Sequence, residues 1–164
     1  MKTLYLIRHA KSSKDIPGIK DQDRPLNKRG KIQIEFIGKH LGHSGIVAQA
    51  VYSSPAKRAL DTAGGIAKKM GFPRSGIKVQ PALYASSVFK LLKMVKGFSE
   101  QAESVMIFGH NPEFLQLVNY LTLGNITKFP TCGVFGIDFN IHTWRKVVRG
   151  KGRLIFSAAP LKRK

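Results

Sequence analysis

Three short segments of this chain set chemistry-bearing side chains where an apolar run gives way to a turn. Arg8 and His9 follow the run that ends at Ile7, Arg58 follows Ser54 and Pro55, and His110 follows Phe108 and Gly109. Guanidinium groups bind phosphoryl oxygens through paired, directed hydrogen bonds, and a neutral imidazole can attack phosphorus in line. For that attack one ring nitrogen of His9 must be unprotonated, while the other donates to a backbone carbonyl or another acceptor that fixes tautomer and aim. His110 could donate to an equatorial oxygen whose charge grows in the transition state. Arg58 near a helix N-terminus costs about 0.3 to 1 kcal/mol unless an anion is close, and a phosphate would supply one. Each residue alone has a plainer reading: a histidine after a strand is commonly a satisfied polar group, and Arg58 could pair with Asp61 three residues along its helix.

These residues need elements to hold them. Lys2 to Arg8 is a short, nearly continuous apolar run of sheet formers, as expected of a strand covered on both faces. A polar loop with Pro17 and Gly18 closes at Arg24-Pro25-Leu26, and Asn27 caps a helix over about 28 to 41 with Ile34, Ile37 and Leu41 on its apolar stripe. Ala50 to Ser53 is a second strand. Ser54 with Pro55 gives the signature of an N-cap followed by proline, and the next helix runs to about Met70, with Ala59, Ala63, Ile66 and Met70 toward the core and Gly71 just past its end. Gly64 and Gly65 inside it imply close packing against a neighbour. Ile77 to Gln80 is a third strand, followed by a helix marked by Val88, Leu91, Leu92 and Val95. Ser104 to Phe108 is a buried strand, and Asn111 with Pro112 repeats the cap signature before a helix carrying Phe114, Leu115, Val118 and Leu121. Val134 to Phe139 and Arg153 to Ser157 are the last strands, with Trp144 and the turn Gly150-Lys151-Gly152 between them. Strands alternating with helices predict a layered α/β protein whose ligand site lies at the carboxyl ends of the strands.

With 164 residues and 43% hydrophobic content, the expectation is a single domain over 1–164 with a substantial core. No apolar run approaches eighteen residues, so no membrane-spanning segment is expected. The first residues read as a strand carrying His9 rather than a cleaved leader, which makes cytoplasmic residence the expectation. Cys132 is the one cysteine, which rules out an internal disulfide and a thiolate metal cluster; a buried strand position is its plain reading. The formal charge of +19 favours acidic partners. Eight of the last twenty residues are basic (Arg145, Lys146, Arg149, Lys151, Arg153, Lys162, Arg163 and Lys164) and none is acidic.

The segment Leu6-Ile7-Arg8-His9-Ala10-Lys11-Ser12 resembles the Arg-His-Gly signature of the histidine phosphatase superfamily, with Ala10 where glycine is usual. Asp23-Arg24-Pro25-Leu26-Asn27-Lys28-Arg29-Gly30, Tyr52-Ser53-Ser54-Pro55-Ala56-Lys57-Arg58-Ala59, Phe108-Gly109-His110-Asn111-Pro112 and Phe129-Pro130-Thr131-Cys132-Gly133 are similar to its SixA-type phosphohistidine phosphatase branch. The resemblance implies a phosphoglycerate-mutase-like three-layer α/β/α sandwich with a mostly parallel sheet of about six strands. It also implies a nucleophilic His9, phosphate-binding Arg8 and Arg58, and a second active-site histidine at His110, with no metal and no cofactor. Arg24 matches a further basic residue of this branch. Ser12, in the loop after the nucleophile, is a weaker candidate for a phosphate hydrogen bond, and a simple turn serine is the competing reading.

Many ester-hydrolysing or mutase relatives place a Glu or Asp beside the leaving oxygen. Gln80 to Ser86 holds no carboxylate where mutase-like relatives carry one, and Asn111 follows His110 where acid-phosphatase-like relatives carry aspartate. Asp15, Asp21, Asp23 and Glu113 are the carboxylates left nearby, none in a position that compels an acid role. General acid catalysis is worth roughly 10² to 10⁴ for an alkoxide leaving group, whereas an imidazole protonated on its ring departs without it. The expected function is therefore a phosphohistidine protein phosphatase working through phosphorylated His9 on a protein with an acidic face, with a monomer as the default. The alternatives are a phosphatase of small phosphoesters and a non-catalytic polyanion-binding module. Nucleic acid fits the charge, but no nucleic-acid-binding signature accompanies it.

Overall fold

The computed structural model describes residues 1–162, so Arg163 and Lys164 of the basic tail lie outside the described residues. Six strands form one sheet: β1 (Lys2–Arg8), β2 (Ala50–Ser53), β3 (Ile77–Val79), β4 (Ser104–Gly109), β5 (Val134–Phe139) and β6 (Gly152–Ala158). Their order is β3-β2-β4-β1-β5-β6; the first four are parallel, β5 is antiparallel to β1, and β6 is antiparallel to β5. Helices α1 (Lys28–His43) and α2 (Lys57–Lys69) cover one face, and α3 (Val88–Lys96) and α4 (Glu113–Thr122) the other. This is the mixed three-layer architecture expected from the sequence.

The central strand explains why its sequence does not alternate. Leu4 and Leu6 of β1 pack with Leu91, Val95, Phe114 and Leu117 of α3 and α4, while Tyr5 and Ile7 pack with Ile37, Leu41, Ala63 and Ile66 of α1 and α2. Both faces are dry, so Leu4 to Ile7 run apolar without alternation. Full burial of residues such as Leu6 and Ile7 contributes about 1.5 to 3 kcal/mol each. Gly65 lets α2 approach α1: a Cβ there would stand 2.5 Å from Ile34 Cγ2.

The local readings that fail do so for identifiable reasons. Ser54 is not the cap of α2, whose N-cap is Ala56, and Asn111 is not the cap of α4, whose N-cap is Pro112 with no side-chain bond. Ser54 Oγ turns to the His110 ring instead, and Asn111 Nδ2 to the Phe129 carbonyl. Cys132 is buried but sits in a turn before β5 with φ of 57°, its amide donating to the carbonyls of Arg8 and His9. On α4 the buried positions are Phe114, Leu117, Val118 and Leu121, so Leu117 joins the expected stripe and Leu115 is only partly covered.

Register decides where loops can converge. Arg8 of β1 is level with Gly109 of β4, and Ser53 of β2 with Phe108 of β4. Three parallel neighbours therefore end side by side, at strand spacings of about 4.8 Å.

Candidate active site

The loops leaving those three strand ends enclose a cavity of about 330 Å³, which Arg8, His9, Ser12, Arg24, Arg58 and His110 all line. The structure thus brings these six candidate residues together, and of the four nearby carboxylates only Asp21 and Glu113 line the cavity. Arg8, Lys11, Lys14, Arg24 and Arg58 line it against the carboxylates Asp21 and Glu113, an excess of positive charge suited to an anion.

His9 and His110 face each other with ring centroids 5.1 Å apart. His9 Nδ1 lies 2.8 Å from the carbonyl of Ala10, a group that can only accept. Nδ1 therefore carries the proton and Nε2 presents its lone pair. Burial is the largest force lowering the His9 pKa, to about 4; the bond to Ala10 opposes it, and the cations Arg58, Arg8 and Arg24 add to it. Burial likewise lowers His110 to about 3, with His9 and Arg58 next in effect. Both rings are neutral near pH 7.

The loop carrying His9 is pinned from three sides. The Ala10 amide donates to Thr62 Oγ1 on α2 at 2.9 Å, and the Lys11 amide to Gln33 Oε1 on α1 at 2.9 Å. Gln33 Nε2 then donates to Thr131 Oγ1 at 3.0 Å. Gly30 makes this possible, because a Cβ on it would collide with the Lys11 carbonyl. Ala10 fits the usual glycine position because its methyl is buried among the α1 and α2 contacts.

Arg8 Nη1 donates to the carbonyl of Phe129 at 2.8 Å, which also accepts from Asn111 Nδ2 at 3.0 Å. Burial lowers the Arg8 pKa. The Nε atoms of Arg8 and Arg58 are buried without a partner. Arg58 does not pair with Asp61, as its helix spacing would allow. Nη1 donates to the Asp21 carbonyl at 2.7 Å and Nη2 reaches Asp21 Oδ2 at 3.1 Å, whereas Asp61 meets Lys57 and Arg74. The anion expected beside Arg58 is met by a carboxylate of the chain itself.

Asp21 is the residue whose importance sequence reasoning missed. It accepts from Arg24 Nε at 2.9 Å and from Tyr84 Oη at 2.7 Å as well as from Arg58. The Tyr84 bond is the largest force holding its carboxyl well below the usual range, and Arg58 and Arg24 add to it. The same bond raises the Tyr84 pKa. Arg24 also donates to Ser12 Oγ at 2.9 Å, which occupies Ser12 as an acceptor for a neighbouring arginine. The three-residue spacing of Asp21 and Arg24 was a readable signal; Tyr84, Gln33 and Thr62 arrive from distant segments and offered none.

Residues 4–84 match the family model described as the histidine phosphatase superfamily (branch 1). Over 151 residues the chain is 26% identical to an uncharacterised chloroplastic protein of Arabidopsis thaliana, covering 87% of this chain and 69% of that one. A SixA of Agrobacterium tumefaciens, assigned to the phosphohistidine phosphatases, superposes with a TM-score of 0.83 at 25% identity, covering 97% of this chain and 98% of its own. The protein histidine phosphatase SixA complexed with tungstate gives 0.82 at 21% identity over 96% of both chains, a likeness of fold. Together with the ordered motifs around His9, Arg58 and His110, these likenesses tie residues 4–84 to the histidine phosphatase superfamily and give the whole chain the phosphoglycerate-mutase-like fold of its SixA neighbours.

Proposed function

We propose that the protein hydrolyses phosphohistidine on another protein through a covalent phosphohistidine intermediate on His9. The observation that carries this reading is the aim of His9: Nδ1–H is held by Ala10, so the Nε2 lone pair faces a cavity shared with Arg8, Arg58 and His110. Nε2 attacks phosphorus as the P–N bond of the substrate breaks, and the departing imidazole, protonated beforehand on its ring, leaves neutral. Water then attacks phosphorylated His9, inorganic phosphate leaves, and the nitrogen regains its lone pair. Arg8 and Arg58 bind the phosphoryl oxygens, with Arg24 and Ser12 at the rim and His110 stabilising the charge that develops. The guanidinium groups meet that charge, so the scheme calls for no metal.

The carboxylates favour this substrate over alkyl esters. Asp21 is ionised and bound to three donors, which makes it a poor proton source for a leaving oxygen. Glu113 also lines the cavity, and Glu113→Gln is the substitution that separates it from an acid role. The charge of +19 suits a phosphoprotein with an acidic face, and one chain supplies the whole constellation, which supports action as a monomer. No described helix is long and apolar enough to cross a membrane, and the buried Cys132 is free, which fits cytoplasmic residence of a single domain over 1–164. Assays with a phosphohistidine-bearing protein and with a panel of alkyl phosphates test the reading. Turnover of the first should exceed that of the second by at least about 10², the lower range of general acid catalysis; comparably fast hydrolysis of alkyl phosphates would overturn the substrate assignment.

A further inference from the structure

The ring of His110 is engaged at both nitrogens. Nε2 lies 2.8 Å from Ser54 Oγ, and Nδ1 lies 3.5 Å from Arg58 Nη2. An arginine nitrogen only donates, so Nδ1 offers its lone pair and the single ring proton sits on Nε2, donated to Ser54. The opposite tautomer would set an N–H against the guanidinium. Ser54 is itself fixed: it is fully buried, and its Oγ accepts from the Ala56 amide at 3.2 Å. That geometry is why Ser54 fails as the cap of α2.

The edge of His110 turned toward Arg58 therefore carries a lone pair, while a phosphoryl oxygen held by Arg58 would bring lone pairs of its own. A proton on Nδ1 converts the clash into a charge-assisted hydrogen bond. The groups facing this ring account for the timing. Burial, then His9 just past β1, Arg58 from α2 and Arg8 at the end of β1 oppose an added proton, while Asp21, whose carboxylate is engaged with Arg58, Arg24 and Tyr84, favours it. Tyr84 meets the ring edge-on at 5.5 Å, and Glu113 lies on the same cavity wall. A bound dianion adds the negative charge that reverses this balance.

We propose that Ser54 is a positioning residue for His110: by accepting Nε2–H it leaves Nδ1 to meet the phosphoryl group, and His110 takes up one proton there as a dianion enters. The inference rests on reading the cavity as a phosphoryl site. It is tested on wild-type protein labelled with ¹⁵N-histidine, by NMR at pH 7.5, first free and then with tungstate. The free protein should show His110 unprotonated at Nδ1 and protonated at Nε2, and tungstate should bring both nitrogens to the protonated state. Calorimetry in buffers of different ionisation enthalpy should show uptake of about one proton per tungstate. Ser54→Ala should weaken tungstate binding about tenfold and lose most of that uptake, and Ser54→Thr, which keeps the hydroxyl, should restore both. A free protein protonated at Nδ1, or binding without a change in the His110 ring, overturns the proposal even if phosphohistidine turnover is intact. Failure of tungstate to bind would instead strike the phosphoryl-site reading and the proton uptake with it, while the free-protein tautomer would still decide the role of Ser54.

Discussion

His9 is kept neutral by burial and aimed by one backbone carbonyl, and the nucleophilic role proposed for it rests on those two facts. The same neutrality makes the remaining carboxylates decisive, since an imidazole leaving group needs no acid and an alkoxide does. Glu113→Gln should thus leave phosphohistidine turnover within about twofold of wild type, measured as kcat/KM, whereas removal of a working general acid costs roughly 10² or more. A loss of that size in this variant would make Glu113 the acid and reopen the case for ester substrates. At the residue scale the sequence was legible where type and position both speak, as for Arg8, His9, Arg58 and His110, all of which converge on one cavity. It was illegible where a role depends on a long-range partner. Asp21 reads as one more loop carboxylate until Tyr84, 63 residues away, is folded against it.

Elements deliver these side chains through register and close approach. The six strands and four helices were readable because their apolar runs and 3.6-residue stripes are strong. Ser54-Pro55 and Asn111-Pro112 misled because a polar side chain before proline satisfies the local cap pattern, yet the site draws Ser54 to His110 and Asn111 to the Phe129 carbonyl. The glycine ending the motif Asp23 to Gly30 gains a physical reason only in three dimensions: it lets the first turn of α1 lie against the loop after His9. Gly30→Ala would gain up to about 1 kcal/mol of helix propensity and still be destabilised by about 1 to 3 kcal/mol net, because the obstacle is a backbone carbonyl that cannot rotate away. Urea denaturation should show the loss, and kcat should fall with it as the nucleophile loop shifts. Unchanged stability and activity would mean that α1 does not hold that loop.

For the whole molecule, two buried neutral histidines have a cost in acid. Each titrates near 6.5 in the unfolded chain, while the folded values are about 4 for His9 and about 3 for His110. Below pH 6.5 the unfolded state therefore gains protons first, and stability falls until the folded value is passed. For His9 the loss between pH 6.5 and 4 is about 3 kcal/mol, and the two losses do not add simply, because the rings interact. The depressed carboxyl of Asp21 has the opposite window: its contribution is intact above its unfolded value near 3.8 and is lost only below it. Denaturant midpoints should accordingly decline from pH 6.5 to 4.5, before the carboxylates titrate; a flat profile there would mean that the histidines are not held neutral. The central claim, that His9 carries the phosphoryl group, is tested most directly by mixing the protein with a ³²P-phosphohistidine protein, quenching at successive early times, and mapping the label. A transient, acid-labile adduct should appear on the peptide containing His9 and be absent in His9→Ala, together with turnover. Wild-type turnover in His9→Ala, or label confined to any other residue, would contradict it.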